Sequence, residues 1–115
     1  MNYRNTRIYA RALELMRTTH GIIEQLPPGY GYLSDQLKRA SASVVLNFAE
    51  GAGKSSPAEQ RRFCGIARGS AYEVAAAIDV GAELDVITPE KRDEALELCD
   101  HLAAMLTRFA AAARR

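Results

Sequence analysis

The amino-acid sequence predicts an all-α protein whose four helices form an up-down-up-down antiparallel bundle with left-handed crossings. Apolar residues recur at alternating steps of three and four along four segments, which is the period of packed helices. Hydrophobic residues make up 48% of the 115 positions and aromatic residues only 7%, so a core of small and aliphatic side chains is expected. The length and the short connections favour a single domain over residues 1–115.

The first two helices are bounded by residues that stop or start a helix. An apolar line begins at Ile8 and continues to Leu26, after which Pro27 ends helix 1 because proline has no amide donor. Helix 2 is predicted to begin near Ser34 and to end at about Gly51, and its second half is apolar nearly all round.

The last two helices begin with clear signals. Ser56, Pro57 and Glu59 form a capping box with a proline in the first turn. A line of mostly small residues then continues for about 28 residues, so helix 3 is expected to approach its neighbour closely. Thr88 and Pro89 start helix 4 in the same way.

Helices 1 and 4 each carry a second apolar line beside the first. On helix 1 this line contains Tyr9, Leu13, Met16, His20 and Ile23, and on helix 4 it contains Leu96, Cys99, Ala103, Leu106, Ala110 and Ala113. A monomer needs less apolar surface than these lines supply, so we predict a homo-oligomer that forms through them.

Charge is distributed unevenly although the net charge is only +1. Residues 1–70 hold ten basic and five acidic side chains, net +5, and residues 71–115 hold five basic and nine acidic ones, net −4.

The candidate RNA-binding residues are Arg4, Arg7 and Arg11, expected on one face of helix 1, and Lys54, Arg61, Arg62 and Arg68, in the adjoining loop and helix 3. They form either a surface that follows a phosphate backbone or a solvated face. Few aromatics accompany them, so base stacking is not expected.

Polar residues at helical spacing mark a second candidate site. They are Arg39, Ser43, Asn47 and Glu50 on helix 2 and Ser70 and Glu73 on helix 3. A network linking Asn47 and Glu50 to Ser70 is predicted, since buried polar groups must be paired. Its role is either structural, fixing the register of the helices, or that of a binding site.

No pattern indicates catalysis, a metal or another cofactor. Gly51–Ser55 resembles the end of a phosphate-binding loop but lacks the first glycine and follows a helix. The two histidines lack the Glu-x-x-His spacing of metal sites in bundles. Cys64 and Cys99 are expected to be buried packing residues. Without a signal peptide or a spanning segment, the protein is predicted to be cytoplasmic and not associated with membranes.

Two short motifs carry a resemblance to a known family. Asn47-Phe48-Ala49-Glu50-Gly51 and Gly69-Ser70 followed by Glu73 resemble motifs of the bacterial 23S rRNA intervening-sequence proteins. The similarity extends from helix 1 to helix 4. Phe48 stands where the family usually has isoleucine, and Val45 and Leu46 replace a proline-alanine pair, which puts a proline kink in helix 2 in doubt.

The resemblance implies more about assembly than about activity. It implies a closed four-helix bundle that assembles into a ring-like homopentamer and has no established catalytic activity. Relatives are encoded inside ribosomal RNA genes, and others accompany the reverse transcriptases of diversity-generating retroelements. The partners it suggests are further copies of the chain, structured RNA or a reverse-transcriptase-like protein. Three functions remain open: an RNA-associated scaffold, a protein-protein adaptor and a catalytic bundle.

Overall fold

The computed structural model describes residues 2–113, and these residues form four α-helices without a strand. A short 3-10 helix, Tyr3–Asn5, comes first. The four helices are α1, Arg7–Glu24; α2, Gly31–Ala52; α3, Pro57–Glu83; and α4, Pro89–Ala112. They pack around one apolar core into an elongated bundle of 47 × 21 × 20 Å. The predicted all-α class and the number of helices are confirmed.

Side-chain caps define the starts of three helices. The hydroxyl oxygen of Thr6 accepts a hydrogen bond of 3.1 Å from the amide of Tyr9 and so begins α1. Ser56 and Thr88 accept from amides three residues ahead, at 3.4 and 3.3 Å, and begin α3 and α4 where the sequence predicted. Each cap satisfies an amide that the first turn leaves without a partner.

The connection between α1 and α2 differs from the prediction. α1 ends at Glu24, and α2 begins at Gly31 instead of near Ser34. The residue before α2, Tyr30, makes no side-chain cap, so the sequence holds no signal at the true start. Gly29 has a φ of +98°, a conformation that glycine adopts without strain, and it turns the chain after the prolines.

α2 and α3 pack closely because glycines and serines lie between them. A Cβ atom added to Gly51 would come within 2.7 Å of the Cβ of Phe63. Further along, the hydroxyls of Ser43 and Ser70 are 2.7 Å apart. The earlier residue of α2, Ser43, thus meets the later residue of α3, Ser70, while Gly51 meets Phe63. Antiparallel helices produce contacts in this order. The expectation of a close approach by helix 3 is confirmed.

The second apolar lines of α1 and α4 are more covered within a single chain than the sequence predicted. Leu106 and Cys99, on the second line of α4, are only 1% and 2% exposed within a single chain, and Leu13 of α1 packs against the core. One bundle already covers the middle of the α4 line, whereas the apolar residues of the α1 line are partly buried. The large apolar side chains left in water lie mainly on α2 and α3: Tyr32, Leu46, Ile66, Tyr72 and Val80.

Candidate functional site

The first candidate site is a set of hydrogen bonds between the middle parts of α2 and α3. The amide nitrogen Nδ2 of Asn47 donates to both the carbonyl oxygen and the hydroxyl of Ser43, each at 2.9 Å. The hydroxyl of Ser43 in turn lies 2.7 Å from that of Ser70, which is buried. The predicted link from Asn47 to Ser70 thus exists and passes through Ser43.

A second polar link joins the same two helices nearer the start of α2. Gln36 donates from Nε2 to the carboxylate of Glu73, and Arg39 donates to Oε1 of Gln36 at 3.2 Å. These side chains are largely exposed, so a ligand could reach them. Glu50 does not join either link: its side chain is exposed and makes no hydrogen bond to Ser70 among the described residues. That part of the predicted network was wrong.

Gly51 belongs to the packing of the two helices. It is buried, and the close approach to Phe63 leaves no room for a side chain at this position. The following residues, Gly53–Ser56, form the connection to α3, and the side chain of Gln60 anchors it by donating to the carbonyl oxygen of Lys54 at 2.7 Å. The segment follows the helix α2, whereas a phosphate-binding loop follows a strand.

Four basic residues come together around the first half of α3. We call Lys54, Arg61, Arg62 and Arg68 the α3 basic cluster. The amino group of Lys54 and the guanidinium of Arg62 lie over the ring of Phe63, at 5.5 and 5.1 Å from its centre. None of the four forms an ion pair with an acidic residue within residues 2–113.

A groove between α3 and α4 presents part of this cluster. It has a volume of about 310 Å³, and Arg61 and Arg68 of α3 line it together with Thr107 and Ala110 of α4. Arg68 also lies 5.4 Å from the ring centre of Tyr72, and its Nη2 is 3.4 Å from the tyrosine hydroxyl. Two guanidiniums beside an open groove form a surface that attracts anions.

The three arginines near the start of the chain do not form the predicted face of helix 1. Arg4 lies in the 3-10 helix, because Thr6 caps α1 and makes Arg7 its first residue. The side chain of Tyr3 raises the pKa of Arg4 above its usual value, mainly by a hydrogen bond. Arg11 forms an ion pair with Glu14 at 2.8 Å. Of these three arginines, only Arg7 is an exposed residue of α1 without an ion pair among the described residues.

The aromatic residues beside the basic cluster were missed. Phe63 is only half-buried and carries two cations above its ring. Tyr72 is 50% exposed beside Arg68. The signal was present in the sequence, since each ring lies one or four residues from an arginine on the same helix. The expectation that few aromatics accompany the cluster is therefore corrected.

The two cysteines are buried, as predicted, and are not paired. Burial raises the pKa of Cys64 to about 11. Burial, with a contribution from Asp100, raises the pKa of Cys99 to about 12. Both thiols are thus protonated at neutral pH, the form that is not nucleophilic.

Metal-ligating side chains are scattered in the described part of the chain. Residues 2–113 contain no group of three or more His, Cys, Asp or Glu side chains placed to hold a metal ion. In the same range no helix combines the length and the apolar character that crossing a bilayer requires.

The sequence matches a model of a known protein family. This family is described as 23S rRNA-intervening sequence protein, and the match covers residues 4–108, which include all four helices except the last turn of α4. No curated protein matches the sequence.

Proposed function

The chain belongs to the family of 23S rRNA-intervening sequence proteins, and from this premise we propose that it is a non-enzymatic, oligomeric scaffold that associates with structured RNA. The observation that carries the proposal is the groove between α3 and α4, which both Arg61 and Arg68 line without an acidic partner among the described residues. A phosphate backbone is an anion with repeated charges, which suits two guanidiniums placed along one groove.

The aromatic rings beside the basic cluster support RNA as the anion. A half-exposed tyrosine next to Arg68 can stack on an unpaired base while the arginine contacts the adjoining phosphate. Such contacts tolerate many sequences, because every base has an aromatic face. The RNA expected to bind is therefore a structured one with an unpaired loop or bulge, recognised by shape and charge.

The proposal includes an up-down-up-down bundle with left-handed crossings that assembles into a ring of five copies. Contacts support the alternation: Ser43 pairs with Ser70, and Thr18 of α1 lies 3.5 Å from Glu94 of α4. The number five comes from the family resemblance. A ring would repeat the basic groove and raise the apparent affinity for any RNA long enough to span two grooves.

The experiment measures binding of a fluorescent stem-loop RNA as a function of salt. We expect the parent protein to bind at about 50 mM salt and to lose affinity steeply by about 200 mM. Replacing Arg61 and Arg68 by alanine is expected to reduce the slope of log affinity against log salt by roughly 0.7–0.9 for each phosphate that the protein no longer neutralises. The matched control replaces Lys91 and Arg92 of α4, which removes the same charge from an acidic surface.

An absence of RNA binding by the parent at about 50 mM salt would contradict the proposal, because electrostatic contacts are strongest there. Equal losses in the groove variant and the control would show that only net charge matters. Binding of RNA that survives both replacements, with an unchanged slope, would place the interface elsewhere on the molecule.

A protein-protein adaptor is the second candidate, and a specific observation favours it. Leu46 and Tyr32 on α2 are 67% and 60% exposed, and a partner protein that covered them would remove apolar surface from water. A partner protein, such as a reverse-transcriptase-like one, would cover them. Replacing both with serine would weaken capture of that partner and leave the RNA measurement unchanged, which separates the two functions.

A further inference from the structure

The outer side of α2 carries two large apolar side chains that water reaches, with a cation between them. Tyr32 and Leu46 are 60% and 67% exposed, and Arg39 is exposed as well. The three residues follow one another at intervals of seven, about two helical turns, so they lie on one side of the helix. We call Tyr32, Arg39 and Leu46 the α2 line.

Arg39, in the middle of the α2 line, has no acidic partner within the described chain. Its Nη2 donates to Oε1 of Gln36 at 3.2 Å, and no carboxylate in residues 2–113 forms an ion pair with it. A guanidinium can hold a carboxylate through two parallel hydrogen bonds. Arginine and tyrosine are also over-represented at the energetic centres of protein interfaces. The α2 line therefore has the composition of a contact surface that lacks its counter-charge.

The opposite side of the bundle contains a groove with the opposite charge. α1 and α3 each pack against both α2 and α4, so the α1–α4 side lies across the bundle from the α2–α3 side. The groove between α1 and α4 has a volume of about 190 Å³. Three carboxylates, two basic side chains and a leucine line it: Glu14, Glu94, Glu97, Arg11, His101 and Leu98.

The carboxylates of this groove are only partly neutralised. Arg11 forms an ion pair with Glu14 at 2.8 Å, and Glu94 has Lys91 at the longer distance of 4.0 Å. Glu97 is exposed and forms no ion pair with the part of the chain that the structure describes. A cation that entered the groove would therefore meet an excess of negative charge.

Arg39 and the acidic groove lie at similar heights along the bundle. A cleft between α1 and α2 is lined by Lys38, the neighbour of Arg39, and by Thr19. Thr18, the residue before Thr19, lies 3.5 Å from Glu94 of the groove. If copies stand side by side around an axis parallel to the bundles, residues at equal heights face one another. Arg39 of one copy would then face the groove of the next.

We propose that the α2 line of one copy docks on the α1–α4 side of the next copy, with the guanidinium of Arg39 beside the carboxylate of Glu97. The inference rests on the proposed homo-oligomer and supplies the contact that this proposal leaves unspecified. Each copy contributes two different surfaces, so the contact is heterologous, as a closed ring requires. It is compatible with a ring of five.

The chain itself supplies the partner that the α2 line requires. The carboxylates that Arg39 lacks lie on the opposite side of the same bundle, at a matching height. An unrelated protein would have to bring both the acidic groove and its position. Covering Tyr32 and Leu46 would remove their apolar surface from water. It would also keep water away from the ion pair between them, which strengthens the attraction.

The contact leaves the basic groove open. Arg61 and Arg68 lie between α3 and α4, on a third side of the bundle. A ring built through the α2 line would turn every basic groove in the same direction relative to the ring axis. One RNA could then contact the grooves of neighbouring copies, which raises the apparent affinity.

The first experiment reverses the charge on each side of the contact. Arg39→Glu places a carboxylate against the acidic groove, and Glu97→Arg places a cation against Arg39. We expect each variant to raise the dissociation constant of the contact by about tenfold or more, because like charges then face each other. Light scattering over a dilution series measures this change. Both positions are exposed in the single chain, so the helix content seen by circular dichroism should be retained.

The second experiment combines Arg39→Glu with Glu97→Arg in one chain. The double variant has the net charge of the parent, and every contact in a ring of any size again joins opposite charges. We expect its mass to return to that of the parent. Lys38→Glu is the matched control, because it changes the net charge as Arg39→Glu does but lies on the side of α2 that faces α1. This control is expected to keep the mass of the parent.

A monomeric parent at micromolar concentration would overturn the proposal and leave the α2 line free for a different protein. The proposal is also overturned if both single variants keep the parent's mass, if Lys38→Glu dissociates as Arg39→Glu does, or if the double variant stays dissociated. All these variants keep the α3 basic cluster. RNA binding at low salt therefore tests the proposed RNA association separately, and either proposal can fail while the other stands.

Discussion

The α2–α3 pair and the α1–α4 pair of helices use their apolar residues in opposite ways. Between α2 and α3 the contact is made by small residues, such as Gly51 against Phe63 and Ser43 against Ser70. Large apolar residues of the same helices, including Leu46, remain in water. On α4, by contrast, even the second apolar line is covered, and Leu106 is 1% exposed. The amount of apolar sequence therefore does not reveal which surface remains for a partner.

The largest expected effect comes from a substitution on the second apolar line of α4, where the side chains are covered. Leu106→Glu places a carboxylate at a position that is only 1% exposed, and we expect a loss of about 3 kcal/mol or more in the free energy of unfolding even though Arg61 and Arg68 line the adjoining groove. Leu13→Glu, at the edge of the core, allows its carboxylate to reach water and should cost less. Urea unfolding at low protein concentration measures both. If the Leu106→Glu variant stays folded and only loses its oligomeric state, this prediction is contradicted. The second apolar line of α4 would then be an oligomer contact.

The next effect tests the close approach of α2 and α3. Gly51→Ala introduces a methyl group 2.7 Å from the Cβ of Phe63, an atom fixed by the backbone, so the helices must separate. We expect a destabilisation of about 1–3 kcal/mol, as overpacking usually causes. Gly21→Ala, with open space at its Cβ, should instead gain up to about 1 kcal/mol from helix propensity. If thermal unfolding shows the same sign for both, the close approach is unimportant.

A smaller effect concerns the hydroxyl pair. Ser70→Ala leaves the hydroxyl of Ser43 without its partner on the other helix, and we expect a loss of about 1 kcal/mol. Ser41→Ala is the matched control, because this buried hydroxyl donates only to carbonyl oxygens of its own helix. Denaturant titration of the two variants is the measurement. Equal losses would mean that the link between helices adds nothing beyond burial of a hydroxyl.

The smallest expected effect is the pH dependence of stability that comes from the two thiols. Cys64 lies on α3, in the α2–α3 pair, and Cys99 lies on α4, in the α1–α4 pair. Their pKa values are about 11 and about 12 in the folded chain, above those of the unfolded chain. Their contribution is complete below the unfolded pKa and is lost as the pH rises towards the folded values. We expect stability to fall between pH 8 and pH 10 by about 1 kcal/mol or less for each thiol. The variant with both cysteines replaced by alanine should lose this part of the pH dependence.

The sequence predicted the helices well where local chemistry defines them. Ser56 and Thr88 are capping residues, and both helices begin directly after them. The start of α2 was missed because Tyr30 makes no side-chain cap that a sequence pattern could reveal. Periodicity identified the main buried line of each helix, but it could not tell how much of a second line a neighbouring helix covers.

The candidate sites were predictable to the extent that they depend on spacing along one helix. Ser43 and Asn47 are four residues apart and do bond to each other. Arg4 was placed on helix 1 because its spacing fits, although the hydroxyl of Thr6 starts the helix three residues later. The groove beside Arg61 depends on how α4 lies against α3, which no local pattern encodes.

The contact between Gly51 and Phe63 also has a consequence for the order in which the chain folds. These residues are close in sequence, so the loop that joins them closes at little entropic cost and α2 and α3 can pair early. The contact of Thr18 with Glu94 closes a separation of 76 residues and must form later. Substitutions between α2 and α3 should therefore slow folding, whereas those between α1 and α4 should mainly accelerate unfolding.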